Sequence, residues 1–291
     1  MTNQHLLAGR SAVVTGGSRG IGRAVAELFC KLGASVVVNG RDPAAVDATV
    51  AALTGSGGRA AGLAGAADDE AIATALIEKC ANTFGRLDVL INCAGIAEPP
   101  RSTILDISPE EFDHVVRANL GTTFHTSRIA AGVMAAQGHG ASINTTSLSF
   151  LGLYGGTGYP ASKGAVNGLT LAMAAELKAH GVRANVVSPG AKTRLSTGAE
   201  YEEHIADLHR RGVLDEMSMR ASLDPPPVAY VAPIYAYLAS DLARDVTGQI
   251  FVAAGGFVGR YDQPTPRVLG YRDHRDSEPW SVEELDGMIS A

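Results

Sequence analysis

Tyr159 and Lys163, four positions apart in Tyr159-Pro160-Ala161-Ser162-Lys163, are spaced for proton chemistry. A helical pattern opens here, and residues four apart on a helix share a face. A free phenol, with a pKa near 10, exchanges protons poorly at neutrality. A neighbouring ammonium favours the phenolate and lowers that pKa, the tuning that general acid–base catalysis needs. Ser147 lies just beyond an apolar strand candidate and is placed to hydrogen-bond a substrate oxygen, in a segment that also offers Thr145, Thr146 and Ser149. Asn119, polar within a largely apolar helical stretch, is a candidate to hold a water that relays protons to Lys163. Each residue also has a plain reading: a Tyr–Lys packing pair, a serine in a turn, an asparagine bonded to nearby backbone.

A second constellation is Thr15-Gly16-Gly17-Ser18-Arg19-Gly20-Ile21-Gly22, between an apolar strand candidate at 11–15 and a helical pattern at 20–32. Gly16, Gly20 and Gly22 permit a tight turn and close backbone approach to a pyrophosphate. Ser18, Arg19 and Ile21 bring their backbone, and Arg19 its guanidinium, to the same place. The following helix N-terminus presents free N–H groups to the negative charge. An acidic residue after the second strand selects NAD through the ribose hydroxyl, whereas arginine there accommodates the 2′-phosphate of NADP. The turn here is Asn39-Gly40-Arg41-Asp42, and Arg41 with Arg19 favours NADP(H). Asp42 keeps NAD(H) open. Asn92-Cys93-Ala94-Gly95 follows a further strand, where small residues at the carboxyl edge of a sheet admit a ligand.

The elements that must position these residues alternate. Strand patterns at 11–15, 36–38, 59–64, 87–92, 141–145, 182–187 and 249–253 are separated by helical patterns at 20–32, from 43, and at 68–84, 109–136, 157–180 and 228–240. Strands that are apolar throughout, separated by helices, predict an α/β fold with a doubly wound parallel sheet, a Rossmann fold, in a single domain. Residues 191–227 are too long for an ordinary connection and mix apolar with charged side chains, as a substrate lid does. Residues 258–291 form a polar C-terminal extension with the only tryptophan, Trp280.

The bulk numbers narrow the function class. A net charge of −6 without a basic stretch argues against nucleic acid and anionic membrane as partners. Cys30, Cys80 and Cys93 lack metal-type spacing and read as free thiols in a reducing compartment. No metal is expected. The first ten residues lack a signal pattern and no apolar run approaches spanning length, so a soluble, cytoplasmic protein is expected.

Over roughly residues 9–257 the chain resembles the short-chain dehydrogenase/reductase family. The matching pieces are the loop 15–22, Asn92-Cys93-Ala94-Gly95, Asn119, Ser147, Tyr159, Lys163 and Pro189-Gly190. The resemblance implies an oxidoreductase in which Tyr159 exchanges a proton with the substrate oxygen and Ser147 polarises the carbonyl. Lys163 would bind the nicotinamide ribose and lower the tyrosine pKa, and Asn119 would support the relay. Thr193 resembles the threonine that relatives place near the carboxamide. Three departures stand out, the first a loop between Ser147 and Tyr159 about a residue shorter than in many relatives, which keeps Thr146 as the weaker candidate for the serine role. Cys93 replaces a second asparagine, and no acid follows the third strand until Asp68, so adenine would rest on backbone and packing.

The family fixes the chemistry and leaves the substrate open. Phe150, Leu151, Leu153 and Tyr154 predict an apolar pocket for a ketone or secondary alcohol with a hydrophobic body. The extension resembles those of a hydroxysteroid and 3-hydroxyacyl-CoA dehydrogenase-related subgroup, which makes an NAD-dependent enzyme of that kind the alternative. A non-catalytic dinucleotide sensor is the rival from another class. Family resemblance also implies a homodimer or homotetramer built on the long helices.

Overall fold

A computed structural model describes residues 5–99, 102–262 and 264–290. The chain alternates β1 (Ser11–Thr15), α1 (Gly20–Lys31), β2 (Ser35–Gly40), α2 (Pro43–Gly55), β3 (Arg59–Ala64), α3 (Glu70–Phe84) and β4 (Val89–Asn92). Then come α4 (Pro109–Val116), a π-helical turn at Arg117–Gly121, α5 (Thr122–Gln137), β5 (Gly140–Thr145), α6 (Gly158–Leu177) and β6 (Val182–Gly190). The remainder is α7 (Ala199–Arg210), α8 (Glu216–Leu223), α9 (Ala232–Ala239), β7 (Ile250–Ala254), β8 (Phe257–Tyr261) and α10 (Val282–Ile289).

The eight strands form one sheet in the order β3-β2-β1-β4-β5-β6-β7-β8, parallel except for the final β7–β8 pair. Strands buried on both faces read as unbroken apolar runs, and β1, β2 and β4 are buried along their whole length. Alternate residues then serve opposite layers. Ala12, Val14, Val36 and Val38 pack with Val25 and Phe29 of α1 and Tyr235 and Leu238 of α9. Val13, Val37 and Leu90 pack with Leu76 and Ile77 of α3 and Ala130 and Met134 of α5. Chain order reverses between β1 and β4, whose ends are in register at Thr15 and Asn92. Ligands of doubly wound sheets bind at the carboxyl ends of such a reversal.

Three expectations change. The helix expected over 109–136 is divided into α4 and α5 by the π-helical turn, with Asn119 inside it. The expected seven strands become eight: Gly255 and Gly256 turn the chain back, and Phe257–Tyr261 pairs antiparallel with β7. A boundary at 257/258 would cut this strand. The first compact unit instead runs to Tyr261, and a second covers the chain from Asp262. Within that second unit, Arg272 lies 3.7 Å from the centre of the Trp280 ring and pairs with Glu284 at 2.8 Å. Ser281 and Glu284 close a capping box on α10. Residues 191–227 are largely a folded helical pair, α7 and α8, around Ile205, Leu208 and Leu214.

Candidate active site

The glycine loop closes on itself and on the loop after β4. A Cβ on Gly16 would stand 2.8 Å from the Ala94 nitrogen, and one on Gly22 2.4 Å from the Gly16 carbonyl oxygen. The loop can therefore be this tight only with glycine at both places. The first turn of α1 contains no acidic residue, and Arg19, at its cap position, makes no side-chain cap. Helices α2, α3, α4 and α8, by contrast, are capped by Asp42, Asp69, Ser108 and Asp215. An N-terminus with its N–H groups left uncapped fits an anionic pyrophosphate. Gly20 faces Thr193, whose methyl would lie 3.7 Å from a Cβ there. The turn after Pro189-Gly190 thus reaches the glycine loop, and Thr193 itself is held by Ser196.

Asp42 caps α2 and pairs with Arg19, so its carboxylate is engaged from two sides. Arg41, one residue earlier, is exposed. Asn39 is buried and ties the end of β2 to β3, donating to the Leu63 and Gly65 carbonyls at 3.0 and 3.1 Å. Asp68 pairs with Arg117 at 3.7 Å. Ser18 is buried beneath the loop, against Gly40, and Ile21 packs against the α1 core layer.

The side chain of Asn92 is spent inside the protein. It donates to Ser127 and Asn144 at 3.3 and 3.0 Å and accepts from Thr126 and Thr15 at 2.8 and 3.2 Å. What Asn92 offers a cofactor is therefore backbone. Ala94 is drawn to β1 through its N–H, which donates to the Thr15 hydroxyl at 3.2 Å. Asn119 is fully buried and grips the same loop: its amide donates to the Ile96 and Val115 carbonyls, and its oxygen accepts from the Ile96 N–H. A Cβ on Gly95 would strike that oxygen at 2.4 Å and stand 3.5 Å from Lys163 Nζ. So the Asn119 side chain shapes the loop beside Lys163.

At the end of β5 the structure separates the two hydroxyl candidates. Thr146 is buried and donates to the Lys163 carbonyl at 2.9 Å, whereas Ser147 faces the Tyr159 phenol. Lys163 is 5% exposed, donates to the Thr145 carbonyl at 3.2 Å and lies 5.5 Å from the centre of the Tyr159 ring. Burial brings its pKa down to about 8, with the Cys93 thiol countering. Tyr159 keeps part of its surface open, yet desolvation raises its phenol above the ordinary value. Ser147 works against this rise and the Glu98 carboxylate adds to it. The phenol thus sits above its ordinary value, because loss of hydration and the Glu98 charge outweigh the Ser147 hydrogen bond. Tyr159 stands protonated at neutrality, which suits it to donate.

Two features escaped sequence reasoning. Thr145 bridges Tyr235 (2.9 Å) and Cys93 (3.4 Å) below Lys163, and burial holds the Cys93 thiol up at about 11. Glu98 sits at the start of α6. The expected apolar wall is divided: Leu151 and Leu153 are exposed, Phe150 meets Tyr261 edge-on at 5.4 Å, and Tyr154 packs into the α7–α8 cluster. Among the described residues no group of histidine, cysteine or acid side chains could hold a metal ion, and no helix is long and apolar enough to cross a membrane.

Residues 16–258 match the family model described as enoyl-(acyl carrier protein) reductase. The chain is 36% identical over 253 residues to a 3alpha-hydroxysteroid dehydrogenase of Mediterraneibacter gnavus, covering 86% of this chain and 97% of that one. It is 34% identical over 264 residues to an NADPH-dependent aldehyde reductase-like protein of Arabidopsis thaliana chloroplasts, covering 87% and 95%. The crystal structure of a short chain dehydrogenase from Mycobacterium avium matches with a TM-score of 0.79 at 32% identity, over 98% of this chain and 94% of that one. The chain belongs to the short-chain dehydrogenase/reductase family. It is an oxidoreductase of CH–OH and carbonyl groups that uses a nicotinamide dinucleotide.

Proposed function

We propose that this protein is an NADP(H)-dependent reductase of ketones with a hydrophobic body, working in reverse on the corresponding secondary alcohols. The observation that carries the reading is the meeting of Ser147, Tyr159 and Lys163 at the carboxyl end of β5, beside an uncapped helix N-terminus. When bound, the nicotinamide supplies or accepts the hydride. Ser147 holds and polarises the substrate oxygen, and the Tyr159 hydroxyl gives that oxygen its proton. Lys163, buried and donating to Thr145, binds the ribose and draws the phenol toward ionisation once charge collects there. Asn119 keeps the loop of Gly95 and Ile96 against Lys163, with Gly16, Gly20, Gly22, Ala94, Gly190 and Thr193 lining the dinucleotide's path.

Arg41 and Arg19 support NADP(H), since Asp42, the acid that would bind a ribose hydroxyl, is occupied by Arg19 and by α2. The names of the relatives, a hydroxysteroid dehydrogenase and an aldehyde reductase, support a hydrophobic carbonyl substrate. The α7–α8 pair acts as the lid over it, and the half-exposed Phe124 on α5 suits a homodimer or homotetramer in the cytoplasm. The test is a panel of steroid, aromatic and aliphatic ketones and alcohols with NADPH and NADH. Turnover with NADPH and a bulky ketone is expected. Preference for NADH, or for small polar carbonyls, would overturn the respective half of the proposal.

A further inference from the structure

Helix α6, which carries Tyr159 and Lys163, is capped by a residue some sixty positions upstream. Thr157 occupies its cap position but makes no side-chain cap. Instead Glu98, from the loop after β4, takes the exposed amides: Oε2 accepts from Gly158 at 2.8 Å, Thr157 at 3.1 Å and Tyr159 at 3.2 Å, and Oε1 from Thr157 at 3.1 Å. Position 156 is built to admit it. Gly156 has φ +79°, and a Cβ there would fall 1.5 Å from Glu98 Oε1. A carboxylate at a helix N-terminus meets both free donors and the positive end of the dipole, and charge-assisted bonds of this kind are the stronger ones.

We propose that Glu98 is a positioning residue for proton transfer, clamping the first turn of α6 to the loop after β4 and so fixing where the Tyr159 hydroxyl stands. Local capping would have been simpler, since Thr157 already has a suitable side chain for it. The imported carboxylate adds a connection that a local cap lacks. Its loop is gripped two residues earlier by Asn119 at Ile96, so one rigid path joins the π-helical turn, the loop and the tyrosine backbone. The carboxylate also places a negative charge near the phenol, which Lys163 on α6 faces with a positive one and Ser147 at the end of β5 with a hydroxyl. The inference rests on Tyr159 being the acid–base residue.

The test compares the full-length parent, Glu98→Gln, Glu98→Ala, Gly156→Ala and Tyr159→Phe. Readouts are ketone reduction and alcohol oxidation between pH 6 and 10, NADPH binding, and amide exchange across 155–162 without ligand. Glu98→Ala is expected to lower kcat about tenfold or more with NADPH affinity kept, and to speed exchange of the first turn of α6. Gly156→Ala should do the same by expelling the carboxylate. Glu98→Gln keeps an acceptor oxygen and the fold, so exchange should stay slow. Removing the charge should move the rise of alcohol oxidation with pH to lower pH, by roughly half a pH unit. If Tyr159→Phe turns over like the parent, the acid–base assignment itself falls. If Tyr159→Phe is inactive while Glu98→Ala keeps kcat within threefold, or Glu98→Gln leaves the pH profile in place, the clamp is overturned and Glu98 is only a cap.

Discussion

Lys163 Nζ lies 5.5 Å from the centre of the Tyr159 ring while donating to the Thr145 carbonyl, so the ammonium is anchored to β5 and merely faces the phenol. A helix alone would leave this pair one turn apart with free lysine rotamers. The strand end fixes it. Burial favours the neutral form of each group, so it steadies the protonated phenol and strains the ammonium. That tension is the source of two expectations.

Tyr159→Phe removes only the hydroxyl that exchanges a proton with the substrate. Loss of a placed acid or base costs about 10²–10⁴-fold in rate. NADPH binding, followed by fluorescence, should remain within about threefold, since the glycine loop is untouched. Because the phenol of the parent titrates above its ordinary value, Tyr159 should keep its proton through neutrality, and ketone reduction in the parent should decline first as Lys163 loses its charge near pH 8. A variant rate within threefold of the parent would remove Tyr159 from the mechanism.

Lys163 should weaken the fold. Its pKa is near 8 when folded and about 10.5 when unfolded, so between these values the unfolded chain binds more protons and stability rises with pH. Below pH 8 the whole penalty applies, about 3 kcal/mol at most. Lys163→Met removes it and forfeits the bond to Thr145, worth about 1 kcal/mol. The variant should be inactive yet melt roughly 2–4 °C above the parent at pH 7. That gain should shrink toward pH 10. A lower melting temperature for Lys163→Met at neutrality would contradict the buried-charge account.

The legible parts of this protein were those written in local periodicity. The apolar runs of β1, β2 and β4 announce a sheet covered on both faces, and the glycine loop and the Tyr159–Lys163 spacing announce their chemistry within a few residues. Glu98 was illegible because nothing around it signals that it will dock at a helix start far along the chain; only Gly155-Gly156 hints at a close approach. Strand β8 was hidden because Gly259 interrupts a five-residue segment whose apolar positions are exposed. The choice between Thr146 and Ser147 needed the strand's exit geometry, since adjacent residues point in opposite directions. The direction of the Tyr159 shift depended on desolvation, which is a property of the folded surroundings.

Cofactor choice turns on the β2–α2 turn. Arg41→Ala should raise the KM for NADPH about tenfold or more and leave that for NADH nearly unchanged, because only NADPH carries the 2′-phosphate. Asp42→Asn would release Arg19 from its ion pair, so it should tighten NADPH binding while costing α2 part of its cap. Equal weakening of both cofactors by Arg41→Ala, measured in initial-rate assays, would sink the assignment.

The helical pair α7–α8 should behave as a hinged lid with its own small core. Ile205, Leu208 and Leu214 are buried against Tyr154, Tyr201 and Met219, and His204 bonds the Tyr154 carbonyl at 3.1 Å. Tyr154 belongs to the segment between Ser147 and Tyr159, so the pair docks on the very loop that leads into the catalytic helix. Gly198 and Gly212 provide turns before and after α7 where the chain can flex. Lid closure sheds water from a reaction site and commonly limits turnover. Tyr154→Ala should therefore loosen the docking, raising KM for bulky ketones several-fold while Tyr159 chemistry in single turnovers changes little. Hydrogen exchange over 191–227 should slow when NADPH and a ketone are bound. If exchange there is already slow in the free protein and ligands leave it unchanged, α7 and α8 are permanent core and the lid must be abandoned.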